Sequence, residues 1–169
     1  MYDLKRHQEI LKKILFEFAN FCDSNNLKYY LDSGTLLGAV RHKDFIPWDN
    51  DIDVNMPRED YEIFLKLVKM KSGISNNINI EYPGESIYCY ARVVYLDSII
   101  FEYPNKNPIK THIYIDVFPK DFILGDDIKT KLVCFKSHFF SLKNWFLKRT
   151  RYEWKTSKNI FKKSQKILP

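Results

Sequence analysis

The sequence predicts an α/β fold of the α+β kind, in which a small mixed, mostly antiparallel sheet is flanked by helices. Three observations support this prediction. Residues 4–25 and 57–70 carry apolar side chains at helical spacing. Residues 27–32 and 80–102 alternate apolar and polar side chains or are rich in Tyr, Val and Ile, which is typical of strands. The chain of 169 residues is also long enough for one domain with a proper core.

The composition excludes several classes of protein. Hydrophobic residues make up 45% of the chain and aromatic residues 16%, so a disordered chain is not expected. Cys22, Cys89 and Cys134 form neither a C-x-x-C pair nor a cluster with histidine, which favours reduced, buried thiols over a zinc site. No apolar run reaches the roughly 20 residues of a membrane span, and residues 1–13 lack a signal-peptide core. We therefore expect a soluble cytoplasmic protein.

The first helix, residues 4–25, has apolar side chains on one face, and we interpret it as a helix that covers the core. The strand LKYYLD follows and ends at the turn Ser33-Gly34-Thr35. Gly34 lets the backbone approach a ligand closely, and Thr35 is predicted to cap the short helix TLLGAVRH. The N–H groups at that helix terminus are suited to bind phosphate oxygens.

An alternating acidic stretch, Asp51-Ile52-Asp53-Val54, follows this helix. In a strand the two carboxylates share one face while the two apolar side chains enter the core. Two carboxylates held this close repel each other unless a cation lies between them, and Mg²⁺ prefers such oxygen ligands. Solvated charges on an exposed strand edge are the alternative interpretation.

The middle of the chain is predicted to contain a second helix and further strands. The helix starts at Pro57 and has acidic residues early and lysines late, as the helix dipole favours. Two or three strands follow, INIEY, YCYARVVY and SIIFEY. Arg92 lies within them, and the sequence leaves open whether it is an ion-pair partner or a phosphate ligand.

Two motifs carry a resemblance to a known family. The string GTLLGAVRHKDFIPWDNDIDV, continuing into MPREDYEIF, resembles the LicD family, which includes fukutin, within the nucleotidyltransferase superfamily of the DNA polymerase beta type. THIYIDVFPKDF resembles the family's Ile-Asp-Ile-Phe-Pro-x-Asp strand. The resemblance implies a polymerase-beta-like nucleotidyltransferase core over residues 1–125 and a basic helical extension over residues 126–169.

The resemblance also implies the residues of a site. Asp51, Asp53 and Asp116 are expected to be catalytic and to hold Mg²⁺, with Mn²⁺ as the alternative metal. Asp116 takes the third carboxylate position, where it completes a metal site or accepts the proton of an attacking hydroxyl. Contacts with the donor are expected from Ser33, Gly34, Thr35, Arg41, Lys43 and Arg92. A surface lysine in a loop, such as Lys43, is otherwise simply solvated.

Three polar residues near these motifs are expected to have other roles. Asn50 departs from the family pattern, in which Asp is common at this position, and strand alternation predicts that it faces away from Asp51 and Asp53. Asp49 is expected to have a supporting role. Asp121 is expected to brace a turn or cap a helix.

The resemblance implies an enzyme that transfers a phospho-substituent, such as phosphocholine or a polyol phosphate, from a CDP-linked donor to a sugar hydroxyl. The acceptor is a cell-surface glycan, such as a lipopolysaccharide, teichoic acid or capsule, which can be lipid-linked. Two alternatives remain open. One is a non-catalytic or truncated relative, and the other is a nucleotidyltransferase that acts on a small molecule or protein.

The end of the chain is strongly basic. Twelve of the 27 basic residues lie between Lys129 and Lys166, with Glu153 as the one acidic residue in that stretch. Aromatic residues are interleaved with these lysines. Packing on the core is the ordinary interpretation, and peripheral contact with an anionic membrane at its inner face is the alternative. Nucleic-acid binding is not expected, because the stretch contains no recognised module.

Overall fold

The structure is a computed structural model that describes residues 3–85, 88–102 and 109–121, which form a five-stranded sheet and three helices. The elements follow in the order α1 (Leu4–Ser24), β1 (Tyr30–Leu31), α2 (Ser33–Arg41), β2 (Asp53–Pro57), α3 (Arg58–Lys71), β3 (Ile78–Glu81), β4 (Ala91–Glu102) and β5 (Ile109–Lys120). The predicted fold class is confirmed.

The strands lie side by side in the order β1-β2-β5-β4-β3. β2 and β5 run parallel, and the other three pairs of neighbours are antiparallel, so the sheet is mixed and mostly antiparallel as predicted. The parallel pair joins two strands that are distant in sequence. β5 therefore lies between the strand of the first acidic motif and the hairpin that β4 forms with β3.

The hydrophobic core lies between the sheet and the two longer helices. Phe18 of α1 packs edge to face on Phe64 of α3, with ring centroids 5.4 Å apart. Ile115 and Val117 of β5 are fully buried against this layer. Burial alternates along β5, because successive side chains point to opposite faces of the sheet. Asp116 consequently lies on the face opposite to the core.

Two strands differ from the prediction. β1 contains only Tyr30 and Leu31 rather than the whole stretch LKYYLD. YCYARVVY and SIIFEY contribute to one strand, β4, whose register with β5 shifts between Tyr95 and Ile100. The pairing with β5 continues on both sides of this β-bulge, and for that reason the strand does not end there.

α2 begins at Ser33, with Asp32 at its N-cap position and no side-chain hydrogen bond to cap it. The prediction that Thr35 caps this helix is therefore wrong. The Thr35 hydroxyl instead accepts a hydrogen bond from the backbone N–H of Asp53, at 2.9 Å from N to Oγ1. This contact ties α2 to the start of β2.

Cys22 is buried in α1, and burial raises the pKa of its thiol to about 12. Cys89 is exposed, so the expectation of a buried thiol is wrong at that position. Among the described residues, no helix has both the length and the apolar character that crossing a bilayer requires. Cys134 and the predicted basic extension, residues 126–169, lie outside the described residues.

Candidate active site

β2 and β5 bring two of the predicted site carboxylates to adjacent positions. Asp53 is the first residue of β2, and Asp116 is its paired position on β5. Paired residues of neighbouring strands point to the same face of a sheet. Val54 and Val117, one position further along, fill the core face. The backbone N–H of Asp116 donates to the carbonyl oxygen of Ile52 at 2.9 Å, which fixes the register at the site.

Further carboxylates surround Asp53. Loss of hydration raises the pKa of Asp51 to about 6, and a hydrogen bond with the Asp49 carboxyl and the charges of Asp49 and Asp53 act in the same direction. The pKa of Asp53 is also raised by burial and by the charges of Asp32 and Asp49, against a hydrogen bond from Ser33 that lowers it. Deprotonating this cluster is therefore unfavourable while no cation compensates its charge.

The donor chemistry of this cluster fits Mg²⁺. Within the described ranges, no three carboxylate, imidazole or thiol groups meet in an arrangement already shaped for a metal. Mg²⁺ is commonly held by one or two carboxylates and completes its shell with water and substrate phosphates. Asp51 and Asp53 would supply the two carboxylates. The assignment of Asp51, Asp53 and Asp116 to one metal stays a prediction.

The N-terminus of α2 lies directly beside this cluster. The backbone N–H of Asp32 donates to the carbonyl oxygen of Asp53 at 3.0 Å, and the hydroxyl of Thr35 holds the N–H of the same residue. A Cβ at Gly34 would lie only 2.8 Å from Oδ2 of Asp49. Only glycine leaves room here for an oxygen atom close to the backbone.

The other residues predicted to contact the donor around α2 lie at its two ends. Ser33 has a φ of +50°, which is uncommon for a residue other than glycine, and its side chain hydrogen-bonds the Asp53 carboxylate. Arg41 is the last residue of α2 and is exposed. Lys43 is exposed, has a φ of +55° and lines a cavity of about 320 Å³ between α1 and α2. Their contacts with a donor stay predictions.

Arg92 occupies the position on β4 that pairs with Asp116, and it is only 2% exposed. Its Nη2 lies 2.9 Å from Oε2 of Glu81. The guanidinium carbon lies 3.6 Å from the ring centroid of Tyr114 and 4.7 Å from that of Tyr88. Arg92 thus has the ion pair that the sequence offered as one alternative, and its contact with a donor stays a prediction.

Two residues of α1 hold the acidic segment, and the sequence interpretation missed both. Nε2 of His7 lies 2.9 Å from the carbonyl oxygen of Asn50, and Nε2 of Gln8 donates to the carbonyl oxygen of Asp49 at 2.8 Å. Burial lowers the pKa of His7, which favours the neutral ring. His7 precedes Leu11 by one helical turn, so a polar residue on the apolar stripe was the available signal.

Asn50 lies before β2, and Asp121 lies directly after β5. β2 begins only at Asp53, so strand alternation does not govern Asn50, and Asn50 and Asp51 line the same cavity. The expectation that Asn50 faces away from Asp51 assumed a strand that includes Asn50. That premise is wrong, and the direction of the Asn50 side chain stays a prediction. Both carboxylate oxygens of Asp121 accept hydrogen bonds of 2.8 Å from Arg58, the first residue of α3. This ion pair joins the residue after β5 to the start of α3, and the role expected for Asp121, bracing a turn or capping a helix, stays a prediction.

A comparison with protein families identifies the domain. The model of the family described as LicD/FKTN/FKRP, nucleotidyltransferase domain, matches residues 26–158. The chain belongs to this family. The matched range contains both acidic strands, with Asp53 and Asp116, as well as α2. α1, with the two side chains that hold the acidic segment, precedes it.

Several curated proteins are related to this LicD-family chain. The lipopolysaccharide cholinephosphotransferase LicD of Haemophilus influenzae is 47% identical over 62 residues, which are 37% of this chain and 23% of that protein. An uncharacterised protein of Rickettsia prowazekii is 34% identical over 105 residues, or 62% of this chain and 38% of that one. The ribitol 5-phosphate transferase FKRP of Mus musculus is 29% identical over 97 residues, which are 57% of this chain and 17% of that protein. The matches thus cover 17% to 38% of the length of these relatives.

Proposed function

We propose that this LicD-family chain transfers a phospho-substituent from a CDP-activated donor to a sugar hydroxyl of a glycan, in a reaction that depends on Mg²⁺ or Mn²⁺. The observation that carries the proposal is the pairing of Asp53 with Asp116 on one face of the sheet, with Asp51 two residues before the start of β2. Two relatives support the class of reaction, because one is named a cholinephosphotransferase and another a ribitol 5-phosphate transferase.

In this proposal the acidic cluster and α2 bind the donor. Asp51 and Asp53 would hold the metal, which supplies positive charge to neutralise the donor's diphosphate. The N–H groups at the start of α2 would point toward phosphate oxygens, and Gly34 provides the space for their approach. The hydrogen bonds that His7 and Gln8 make with the acidic segment keep its carboxylates in position before the donor arrives.

Asp116 would act on the acceptor. An oxygen of the acceptor sugar attacks the phosphorus of the phospho-substituent, its proton passes to the Asp116 carboxylate, and the bond from phosphorus to the CMP oxygen breaks. β5 pairs with β2 on one side and with β4 on the other, so Asp116 lies on a rigid part of the sheet. Positioning of the two substrates and compensation of charge would supply most of the catalysis.

Isothermal titration calorimetry with CDP-choline, CDP-ribitol, CTP and ATP, each with and without Mg²⁺, tests this function. We expect the protein to bind a CDP-linked donor only when Mg²⁺ is present. The variant Asp53→Asn should bind that donor at least about tenfold more weakly, a loss of about 1.4 kcal/mol. It should remain folded, because the substitution relieves like-charge repulsion around a carboxylate whose pKa is raised.

Glu9→Gln is the matched control, because Glu9 is an exposed carboxylate on α1. Its donor affinity should equal that of the wild-type protein. Failure of every CDP-linked donor to bind would refute the proposal and favour a non-catalytic relative. Mg²⁺-dependent release of pyrophosphate from CTP or ATP would favour the alternative of a nucleotidyltransferase.

The proposal places the protein at the inner face of a membrane, where a lipid-linked glycan is presented. The basic stretch between Lys129 and Lys166 supports this location, because each basic side chain near an anionic surface contributes about 1 kcal/mol. Sedimentation with anionic and neutral vesicles, at low and high salt, measures the contact. Equal recovery with both kinds of vesicle would contradict it.

A further inference from the structure

A cavity of about 480 Å³ adjoins the acidic segment and shares Asp51 with the donor site proposed above. It is lined by His7, Asn50, Asp51, Ile99, Ile100, Phe101 and Tyr114. Its volume falls in the range of about 300 to 1,000 Å³ that is usual for small-molecule sites. Asp51 belongs both to this cavity and to the proposed metal site, so a molecule in the cavity would lie next to the reacting groups.

One wall of the cavity is apolar and faces solvent. Ile99 and Phe101 are each 58% exposed, although both are large apolar residues in a strand. Ile99 lies in the β-bulge of β4, where the stretch between Tyr95 and Ile100 opposes the shorter stretch between Ile113 and Thr111 on β5. Phe101 lies just beyond the bulge and pairs with Lys110. Bulges of this kind redirect side chains and are common beside active sites.

The bulge is held in place by hydrogen bonds. The hydroxyl of Ser98 accepts from the backbone N–H of Ile113 at 2.8 Å and donates to the carbonyl oxygen of Tyr95 at 2.6 Å. Nδ1 of His112 lies 2.6 Å from the carbonyl oxygen of Ser98. The apolar wall is consequently formed before any ligand binds, which lowers the entropic cost of binding.

A second part of the cavity wall is polar and acidic. Asn50 and Asp51 are exposed residues of this lining, and their side chains carry an amide and a carboxylate. A pyranose ring matches two such walls, because it has an apolar face of C–H groups and a rim of hydroxyl groups. An acyl chain would leave the amide and the carboxylate without partners. Without a bound cation, an anionic group would be repelled by the Asp49–Asp53 segment, in which the charge of Asp49 raises the pKa of both Asp51 and Asp53.

We propose that this cavity binds a sugar ring of the acceptor glycan, with the C–H face of the ring on Ile99 and Phe101 and its hydroxyls toward Asn50 and Asp51. The role of that sugar as acceptor rests on the proposed function, whereas its binding does not. Ile99 and Phe101 would then determine which saccharide the protein accepts, without touching the donor.

Saturation-transfer NMR with glucose, galactose, N-acetylgalactosamine and lactose tests the binding directly. The wild-type protein should transfer saturation to the ring C–H protons of at least one of these sugars. Phe101→Ala should reduce that transfer at least fivefold, because it removes the surface on which the ring lies. Phe16→Ala is the matched control, because Phe16 is 65% exposed on α1, away from the cavity lining, and should leave the transfer unchanged.

Calorimetry with CDP-choline and CDP-ribitol in Mg²⁺ on the same variants separates this inference from the proposed function. Loss of the sugar signal in Phe101→Ala with wild-type donor affinity supports it. Three results would overturn it: no transfer to any of the four sugars in the wild-type protein, unchanged transfer in Phe101→Ala, or self-association that Phe101→Ala abolishes in sedimentation velocity. Failure of the donors to bind would refute the proposed function alone, because the sugar experiment contains no donor.

Discussion

Replacing Gly34 with alanine should weaken donor binding without destabilising the fold. The new Cβ would lie 2.8 Å from Oδ2 of Asp49, so this carboxylate must retreat to an ordinary contact of about 3.4 Å. The obstructing atom is the end of a flexible side chain, and it can move at little cost. Alanine also favours a helix over glycine by up to about 1 kcal/mol, so the free energy of unfolding should stay the same or rise by that amount.

Gly38→Ala, in the same helix, is the matched comparison. Its Cβ would lie 2.7 Å from the carbonyl oxygen of Asp44 and 2.9 Å from the backbone nitrogen of Ile46. Backbone atoms cannot retreat as a side chain does, and overpacking of this kind costs about 1 to 3 kcal/mol. After the gain in helix propensity, the free energy of unfolding should fall by up to about 2 kcal/mol.

Urea unfolding followed by circular dichroism, and calorimetric titration with CDP-choline or CDP-ribitol in Mg²⁺, measure the two effects. Gly34→Ala should lose at least about tenfold in donor affinity, because the methyl group fills the space through which a phosphate oxygen approaches the helix N-terminus. Wild-type affinity in this variant would refute the close approach. If Gly34→Ala lost as much stability as Gly38→Ala, the claim that the Asp49 side chain can move away from the new Cβ would be refuted.

Two further predictions concern charged residues. The pKa of Asp51 is raised from its usual 3.8 to about 6, so its ionisation destabilises the folded state above pH 6 and this penalty disappears as pH falls through 6 toward 3.8. In the absence of metal, Asp51→Asn should therefore raise the midpoint temperature of thermal unfolding at pH 8 and change it little near pH 4. An equal gain at both pH values would contradict the pKa shift. Arg92→Lys should lose about 3 kcal/mol of stability in urea unfolding, because lysine cannot both pair with Glu81 and stack on Tyr114. A variant with wild-type stability and weakened donor binding would instead make Arg92 a donor ligand.

The features that follow from local periodicity could be predicted from the sequence. The apolar stripe of residues 4–25 predicted a helix that covers the core, and α1 packs on the core with that face. The helix predicted to start at Pro57 begins one residue later, at Arg58, with Pro57 at its N-cap position. These properties depend on neighbours in the chain, which a pattern of apolar residues records directly.

The features that depend on packing between distant segments could not be predicted. The contacts of His7 and Gln8 join α1 to a segment about 40 residues later, and no periodicity encodes such a pairing. The hydroxyl of Thr35 could equally cap its own helix or bind the next strand, and in the folded protein it binds the backbone N–H of Asp53 in that strand. Asn50 precedes β2, so the rule of alternation along a strand does not apply to it.

The parallel pairing of β2 and β5 makes the spacing of the two acidic motifs independent of the segments between them. Asp53 and Asp116 are set side by side by the ladder of these strands, not by the length of the connections that join α3, β3, β4 and β5. Surface connections accept insertions and deletions far more easily than the strands they join. Relatives can therefore change the length and sequence of these connections, and with them their substrate preferences, while the carboxylates at the positions of Asp53 and Asp116 keep their separation.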